Sequence, residues 1–463
     1  PERCLELQRR NAEQKKLLDR VEDGSLDFFS FDIHFAHVMA EGGFDVVAGN
    51  PPWVRNSRID ARAKRMLADR YTLFRAQRDG TAFHQPDLSV AFFERAMSLA
   101  KDDGVVALLM PSKIVNATYA GPLRRVAAPR VIALDDWSDD PRRRRWFDAD
   151  TFPLGITCRN RAIATDAIRV SASGDAFTID PRQLSVNGAT SEWMLVPHEV
   201  SSILRRLRAT HGSLQAVHGR KPLMGVKTGD NRSFFLDAEE IHGGHLVTTD
   251  GIHVPLTAVC RCVRGRDLRR WSAGASQWML WPPPGGWRKP PKWLQQLALA
   301  RGLEPSDFRL SFVRAEHVGI KVAWKDLSKS ITAAVLPDVV HVNDVAFPLI
   351  PNQTLYSLDA VSLDEAYVIA AVLNSSIAGA LLVAVAERAK DAHYRYFGRT
   401  VAALPWPDTR PEWDKLVRLS RRAHRGVDVL REIDAVVGQA YGVTSGELQI
   451  LQSFLSRRTG DAR

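Results

Sequence analysis

The sequence predicts an α/β protein: part of a doubly wound sheet, then a mixed α+β domain and a helical tail. Three observations predict it. The apolar run Asp45-Val46-Val47-Ala48 ends at Gly49 and the rigid tip Asn50-Pro51-Pro52-Trp53, as a buried parallel strand does where an open α/β sheet faces its ligand. A helix-spaced segment from Pro86-Asp87-Leu88 leads through Asp102-Asp103-Gly104 into the strand Val105–Met110, the helix-turn-strand alternation that such a sheet requires. From about residue 166 the pattern changes to short strands, turns and Trp-Pro-Gly passages, which marks a second domain. The expected divisions are 1–165, 166–410 and 411–463.

In chain order, Cys4 to Glu22 is rich in Leu, Gln, Lys, Arg and Glu and reads as an exposed helix. Phe28 to Phe35 reads as a strand-loop-strand passage into the strand at Asp45. Gly49 then permits a tight turn, and Pro51 and Pro52 fix φ and remove two backbone donors. What faces outward is the Asn50 amide, the carbonyls of Asn50 and Pro51, and the flat ring of Trp53. That set can accept hydrogen bonds from an exocyclic amine and stack on a planar heterocycle. Arg55 to Arg70 is a cationic helix suited to a lid or to a solvated face.

The helix beginning at Pro86 carries Ala91, Phe92, Phe93, Ala96, Met97 and Leu99, and the strand after it closes at Pro111-Ser112. Pro141 to Phe147 combines four arginines with two aromatics, a composition that binds phosphates and stacks on unpaired bases. The strand-like Gly155–Cys158 follows. Trp413 to Leu430 and Ile433 to Leu455 read as two amphipathic helices, with a break at Tyr441-Gly442-Val443.

At 463 residues the chain can hold two or three domains with separate cores. Its net charge of +10 is dominated by arginine, which suits phosphate and base-edge contacts; codon bias in a GC-rich genome raises arginine too, so charge is supporting evidence. The four cysteines, Cys4, Cys158, Cys260 and Cys262, are too few and scattered for a disulfide framework or a four-ligand zinc site. Free thiols and no metal are expected. No apolar run of about 18 residues appears, and the amino terminus carries charges where a signal peptide would be apolar. The expectation is a cytoplasmic protein with no membrane partner.

Asn50-Pro51-Pro52-Trp53 resembles the catalytic motif of the amino-methylating DNA methyltransferases, which act on adenine N6 or cytosine N4. Phe31-Asp32-Ile33-His34-Phe35 followed by Glu41 to Trp53 narrows the likeness to the large adenine-specific enzymes of bacterial restriction-modification and phage defence, of the Eco57I, BREX and DISARM kinds. The resemblance implies a Rossmann-like methyltransferase sheet, S-adenosyl-L-methionine as cofactor and double-stranded DNA as partner. It implies that Asn50, Pro51, Pro52 and Trp53 are catalytic, and that Asp87 and Phe92 border the cofactor. An aromatic that helps hold the flipped base would be Phe147 or Phe152. The chemistry of the tetrapeptide suits either amine; the motif order, ahead of a recognition domain, favours adenine.

Gly225 to Asn231, Val263 to Trp271 and Leu373-Asn374-Ser375-Ser376 resemble segments of the target-recognition domain of these enzymes, as do Tyr394 to Gly398 and Leu404 to Pro407. Lys227 on its Gly-flanked turn and Arg264, Arg266, Arg269 and Arg270 in one stretch suit phosphate contacts. Arg144 belongs with them as a DNA-binding candidate, alongside Lys227, Arg264, Arg266 and Arg270. The Gly-rich cofactor turn of the family lies upstream of the Asn-Pro-Pro motif, and the 49 residues before Asn50 contain none. The chain therefore reads as the carboxyl-terminal portion of a longer enzyme, completed by an amino-terminal methyltransferase half or a defence-system subunit, and should bind the cofactor poorly alone. No nuclease signature stands out. The rival readings are a DNA-specificity subunit that binds sites for a partner, and a basic α/β protein with no nucleic-acid partner.

Overall fold

The computed structural model describes residues 11–12, 15–16, 18–20 and 29–460, apart from 76, 80–81, 85, 139–151, 164–166, 173–174, 186–191, 276, 284–285, 288, 309, 311–312 and 390–392. The chain forms two compact units, Pro1–Trp193 and Met194–Arg463.

The first unit is built on six strands: β1 (Phe44–Gly49), β2 (Ala100–Pro111), β3 (Val131–Asp136), β4 (Pro153–Arg159), β5 (Ile168–Ala172) and β6 (Asp175–Ile179). Their spatial order is β1-β2-β4-β3-β5-β6. β1 and β2 are parallel, as are β3 and β5; β4 lies antiparallel between β2 and β3. Parallel neighbours need a crossover, and helix α2 (Leu88–Leu99) provides it between β1 and β2. Helix α1 (Ala61–Arg70) precedes it and buries no residue, and helix α3 (Gly121–Ala127) follows β2. The α/β architecture expected from the sequence is present, and its sheet runs past residue 165, because β5 and β6 continue it.

Three local expectations are corrected. β1 is not a buried strand: it sits at the sheet edge, none of its residues is buried, and Val46 is 60% exposed. Residues 31–40 form two short helices, Phe31–His34 and Ala36–Ala40, where strands were expected. Phe31 and Phe35 are four apart, the helical spacing, and both rings pack against Phe44 at 6.0 and 5.4 Å. α2 ends at Leu99, and β2 takes over at once, so Asp102-Asp103-Gly104 lies within the strand.

In the second unit one sheet has the order Ala333–Leu336, Lys321–Lys325, Leu355–Asp359, Leu223–Met224. Its core is shared by helices α4 (His198–Thr210), α6 (Leu363–Asn374), α7 (Ser376–Val383), α8 (Trp413–His424), α9 (Leu430–Tyr441) and α10 (Ser445–Thr459). A second core, with buried Phe234, Cys260, Cys262 and Phe347, lies against helix α5 (Lys292–Arg301). Burial pushes the Cys262 thiol up to about 12. The described residues from 411 to 460 form the three helices α8, α9 and α10, and Leu416, Ile433 and Leu451 sit in the same core as Ile369 and Ile377. The extra break falls at Gly426, which adopts φ +87°, a conformation glycine takes without strain. Among the described residues no single helix is long and apolar enough to cross a membrane; α6 and α7 reach that composition only as a pair bent by 60°.

Lys321 is fully buried, and its Nζ donates to Leu349 O at 3.1 Å. Burial lowers its pKa to about 8, against the opposing pull of Asp338. Since the unfolded lysine titrates near ~10.4, the charged form penalises the fold fully below pH 8, and the penalty is relieved as pH rises to about 10.4. Lys321→Met should stabilise the protein at pH 7 by about 2–3 kcal/mol and flatten the rise of stability with pH over that window. Urea unfolding across pH measures both.

Candidate active site

The site is built at the carboxyl ends of the strands. β1 hands the chain to Asn50, which is exposed, then to buried Pro51 and exposed Pro52. Gly49 does not carry the turn through a positive φ, and a Cβ there would only touch Leu108 at 3.8 Å. The prolines set the geometry instead. Trp53 is half-buried, and its Nε1–H donates to Leu109 O at 3.1 Å. That bond ties the indole to β2 and fixes the plane of its ring.

The loop after the motif is tied to the start of α2. Leu88 N–H donates to Val54 O at 3.0 Å, and Asn56 Nδ2 donates to Pro86 O at 3.3 Å. Asp87 is therefore held beside the Asn-Pro-Pro-Trp segment. It caps α2 by accepting from Ser89 N–H at 3.0 Å, which satisfies one of the orphan donors of a helix start. Burial raises its pKa, against the Ser89 hydrogen bonds and the charges of Lys113 and Arg55. On the same helix Phe93 is fully buried, whereas Phe92 remains 45% exposed. The core aromatic is Phe93, so Phe92 is left to meet something else.

The rim continues through the neighbouring strands. Ser112 N–H, just past β2, donates to Phe152 O at 2.7 Å, and Trp137 N–H, just past β3, donates to Pro153 O at 3.0 Å. The sheet thus brings Asn50, Trp53, Lys113, Trp137 and half-buried Phe152 to one edge. Sequence reasoning missed Trp137, which is 37% exposed; the signal was the strand Val131–Asp136 ending in an aromatic. Arg144 and Phe147 lie outside the described residues. Helix α1, expected in the cationic stretch Arg55–Arg70, starts later, at Ala61, where Asp60 accepts from Arg62 and Ala63 N–H at 2.9 Å.

In the second unit, Lys227 is exposed on a turn that only Gly225 can enter, because a Cβ there would lie 2.2 Å from Asn352 O. Arg264 is turned inward: its Nε meets Asp267 at 3.2 Å, and its guanidinium lies 5.5 Å from the Phe235 ring. Arg266 has a side chain 70% exposed, while Arg270 is half-buried. Trp271, beside it in the hairpin turn, has φ 68° and is held by Ala333 O at 3.1 Å and the His424 ring at 5.6 Å. Asn374, in the Leu373–Ser376 segment, is buried and exchanges two hydrogen bonds with the Ala333 backbone. That segment joins α6 to α7, so its visible role is structural.

The sheet order and the position of Asn-Pro-Pro-Trp at its rim define the first unit as an α/β domain with a polar, aromatic tip at the carboxyl ends of its strands. Residues 3–132 match the Eco57I restriction-modification methylase family. It is 27% identical over 224 residues to the type II methyltransferase M.PaeR7I of Pseudomonas aeruginosa, covering 43% of this chain and 37% of that one. To M.BstVI of Geobacillus stearothermophilus it is 24% identical over 222 residues, covering 43% and 38%. The chain thus spans less than two-fifths of the length of these relatives. The solved structure of the type IIL restriction-modification enzyme MmeI in complex with DNA aligns with 90% of this chain and 57% of its own, with TM-score 0.54 and 13% identity. At that identity the likeness is one of fold.

Proposed function

We propose that the protein takes part in methylation of adenine N6 in DNA, within a bacterial restriction-modification or phage-defence system in the cytoplasm. The observation that carries this is the exposed Asn50 amide beside a Trp53 ring locked in plane by Leu109 O. A target adenine flipped from the duplex, at a cost of about a few kcal/mol, would stack on Trp53. The Asn50 side-chain oxygen and the Pro51 carbonyl would accept its two amino hydrogens and turn the nitrogen lone pair outward. Positioning and electrostatics then carry the catalysis, and no covalent enzyme nucleophile is needed.

S-adenosyl-L-methionine, when bound, supplies the electrophilic methyl group. The residues present fit one side of it: Phe92 offers an uncovered ring on α2, and Asp87 a buried carboxyl beside the motif. In the second unit Lys227, Arg266 and Arg270 would meet DNA phosphates, with Arg264 bracing Asp267; Arg144 is a separate candidate for phosphate contact.

Nucleoside analysis tests this reading. Co-expressed with its neighbouring genes, the protein should leave N6-methyladenine in host DNA; N4-methylcytosine alone would overturn the adenine assignment. Trp53→Ala should weaken capture of a flipped 2-aminopurine by about 10-fold or more and leave duplex affinity nearly unchanged, read from fluorescence and anisotropy in parallel. A second reading, a DNA-specificity subunit without catalysis, is favoured by the exposed cations Lys227 and Arg266 of the second unit. It predicts salt-dependent DNA binding with no methylation under the same co-expression.

A further inference from the structure

The second unit contains a cleft that the methylation reading does not use. Strand Gln277–Leu280 runs into Trp281-Pro282-Pro283, and Pro290-Pro291 leads into α5. Between these segments is a cleft of about 1020 Å³ lined by Trp281, Trp287, Pro283, Pro290, Phe308 and Arg314, among others. Its walls are preformed. Prolines fix φ along both rims, Trp281 N–H is bonded to Ala258 O at 2.8 Å, and Trp287 packs edge-on against Trp293 at 5.6 Å and 86°. Trp293 in turn rests on the core that holds Leu294 and Leu297.

The electrostatics select the occupant. No carboxylate is found among the described lining residues, where Arg314 supplies positive charge. Lys289 and Lys292 flank the rim and are exposed. Flat indole faces suit a planar apolar group, and the side of the cleft that carries Lys289, Lys292 and Arg314 suits an anion, the exposed carboxylates of Asp307 and Glu316 lying outside the lining. Unpaired nucleotides are both: each base has a face to stack and each phosphate a charge to pair. A proline-rich peptide would use the aromatic faces but bring no anion to Lys289 and Lys292.

We propose that this cleft binds a short run of single-stranded DNA, with bases stacked on Trp281 and Trp287 and phosphates toward Lys289, Lys292 and Arg314. The site is independent of methyl transfer and of duplex recognition by the Lys227 and Arg266 turns.

The test is fluorescence anisotropy of labelled oligo(dT) on the full chain, with duplex DNA measured in parallel. Trp287→Ala and Trp281→Ala should each weaken oligo(dT) binding by roughly 10- to 100-fold while duplex affinity stays within about twofold. Since a tryptophan variant can also perturb the fold, the exposed pair provides a second arm. Lys289→Gln with Lys292→Gln should lower the slope of log K against log salt by about 1.4, and bromodeoxyuridine in the oligonucleotide should photo-crosslink within residues 281–293. An unchanged salt slope in the lysine variant, or oligo(dT) affinity unaffected by both tryptophan variants, would overturn the proposal. So would saturable binding of a polyproline peptide that oligo(dT) cannot displace. Loss of duplex binding alone would count against the proposed function and leave this site standing.

Discussion

Asn50→Ala, introduced into the methylation-competent protein, is expected to lower methyl transfer by about 100- to 1000-fold or more while DNA affinity changes by less than about threefold. The asymmetry follows from where Asn50 sits. It is exposed at the end of β1, beyond the last strand pair, Gly49 with Leu108, so no fold-stabilising packing rests on it. Its amide oxygen is useful only when an amino group is presented to it, and duplex affinity comes mainly from phosphate contacts elsewhere. Asn50→Asp separates orientation from charge: it keeps one acceptor oxygen, adds a negative charge and removes the amide donor. Methyl transfer that survives in Asn50→Ala at the wild-type rate, measured with tritiated cofactor, defeats the mechanism.

The second large effect is on stability. Glu365 accepts from His218 Nδ1 at 3.2 Å, from Arg220 Nη1 at 3.0 Å, from Arg220 Nη2, and from Val361 N–H at 2.7 Å. The side chains of Glu365, His218 and Arg220 are only 11%, 10% and 18% exposed. Burial alone would raise the carboxyl; the hydrogen bonds from His218, Arg220 and Val361 outweigh it and hold it at about 2. Glu365→Ala would leave Arg220 with Asp359 at 4.0 Å as its remaining carboxylate and Val361 N–H without its acceptor. Removing one member of a buried pair costs about 3–5 kcal/mol.

The pH dependence has a definite sign. The folded carboxyl titrates at about 2 and the unfolded one near ~4.3, so the contribution is complete above about pH 5 and is lost as pH falls toward 2. Urea midpoints of wild type and Glu365→Gln should differ at pH 7 and converge as pH falls toward about 2. Parallel curves across that range would remove Glu365 as the cause.

Much of the site was legible because its signals are local. Asn50 to Trp53 is a contiguous tetrapeptide, and Asp87 announces itself as a helix start by Pro86 before it and the apolar run after it. Phe31–Phe35 is helical where the sequence suggests strands, because its rings pair at helical spacing and find Phe44, a partner outside the local run. The tail was read as two helices because its amphipathic pattern spans the break; Gly426 interrupts the backbone without interrupting the apolar stripe. Arg264 and Arg266 look alike in sequence, and only the position of Asp267 and Phe235 turns one inward and leaves the other out.

The sequence by itself determined that a strand ends in Asn50-Pro51-Pro52-Trp53, that a capped helix and a strand follow, and that cations cluster on turns of a later domain. These depend on neighbours within a few residues, through proline φ, capping and periodicity. Tertiary structure decided what those parts face. The Leu109 carbonyl fixed the Trp53 plane, the order of β1-β2-β4-β3 brought Trp137 and Phe152 to the rim with Asn50, and the choice between Phe92 and Phe93 was made by which ring the core could cover. Such outcomes turn on partners tens of residues away, whose pairing is set by packing of the whole sheet and leaves no mark in the local pattern.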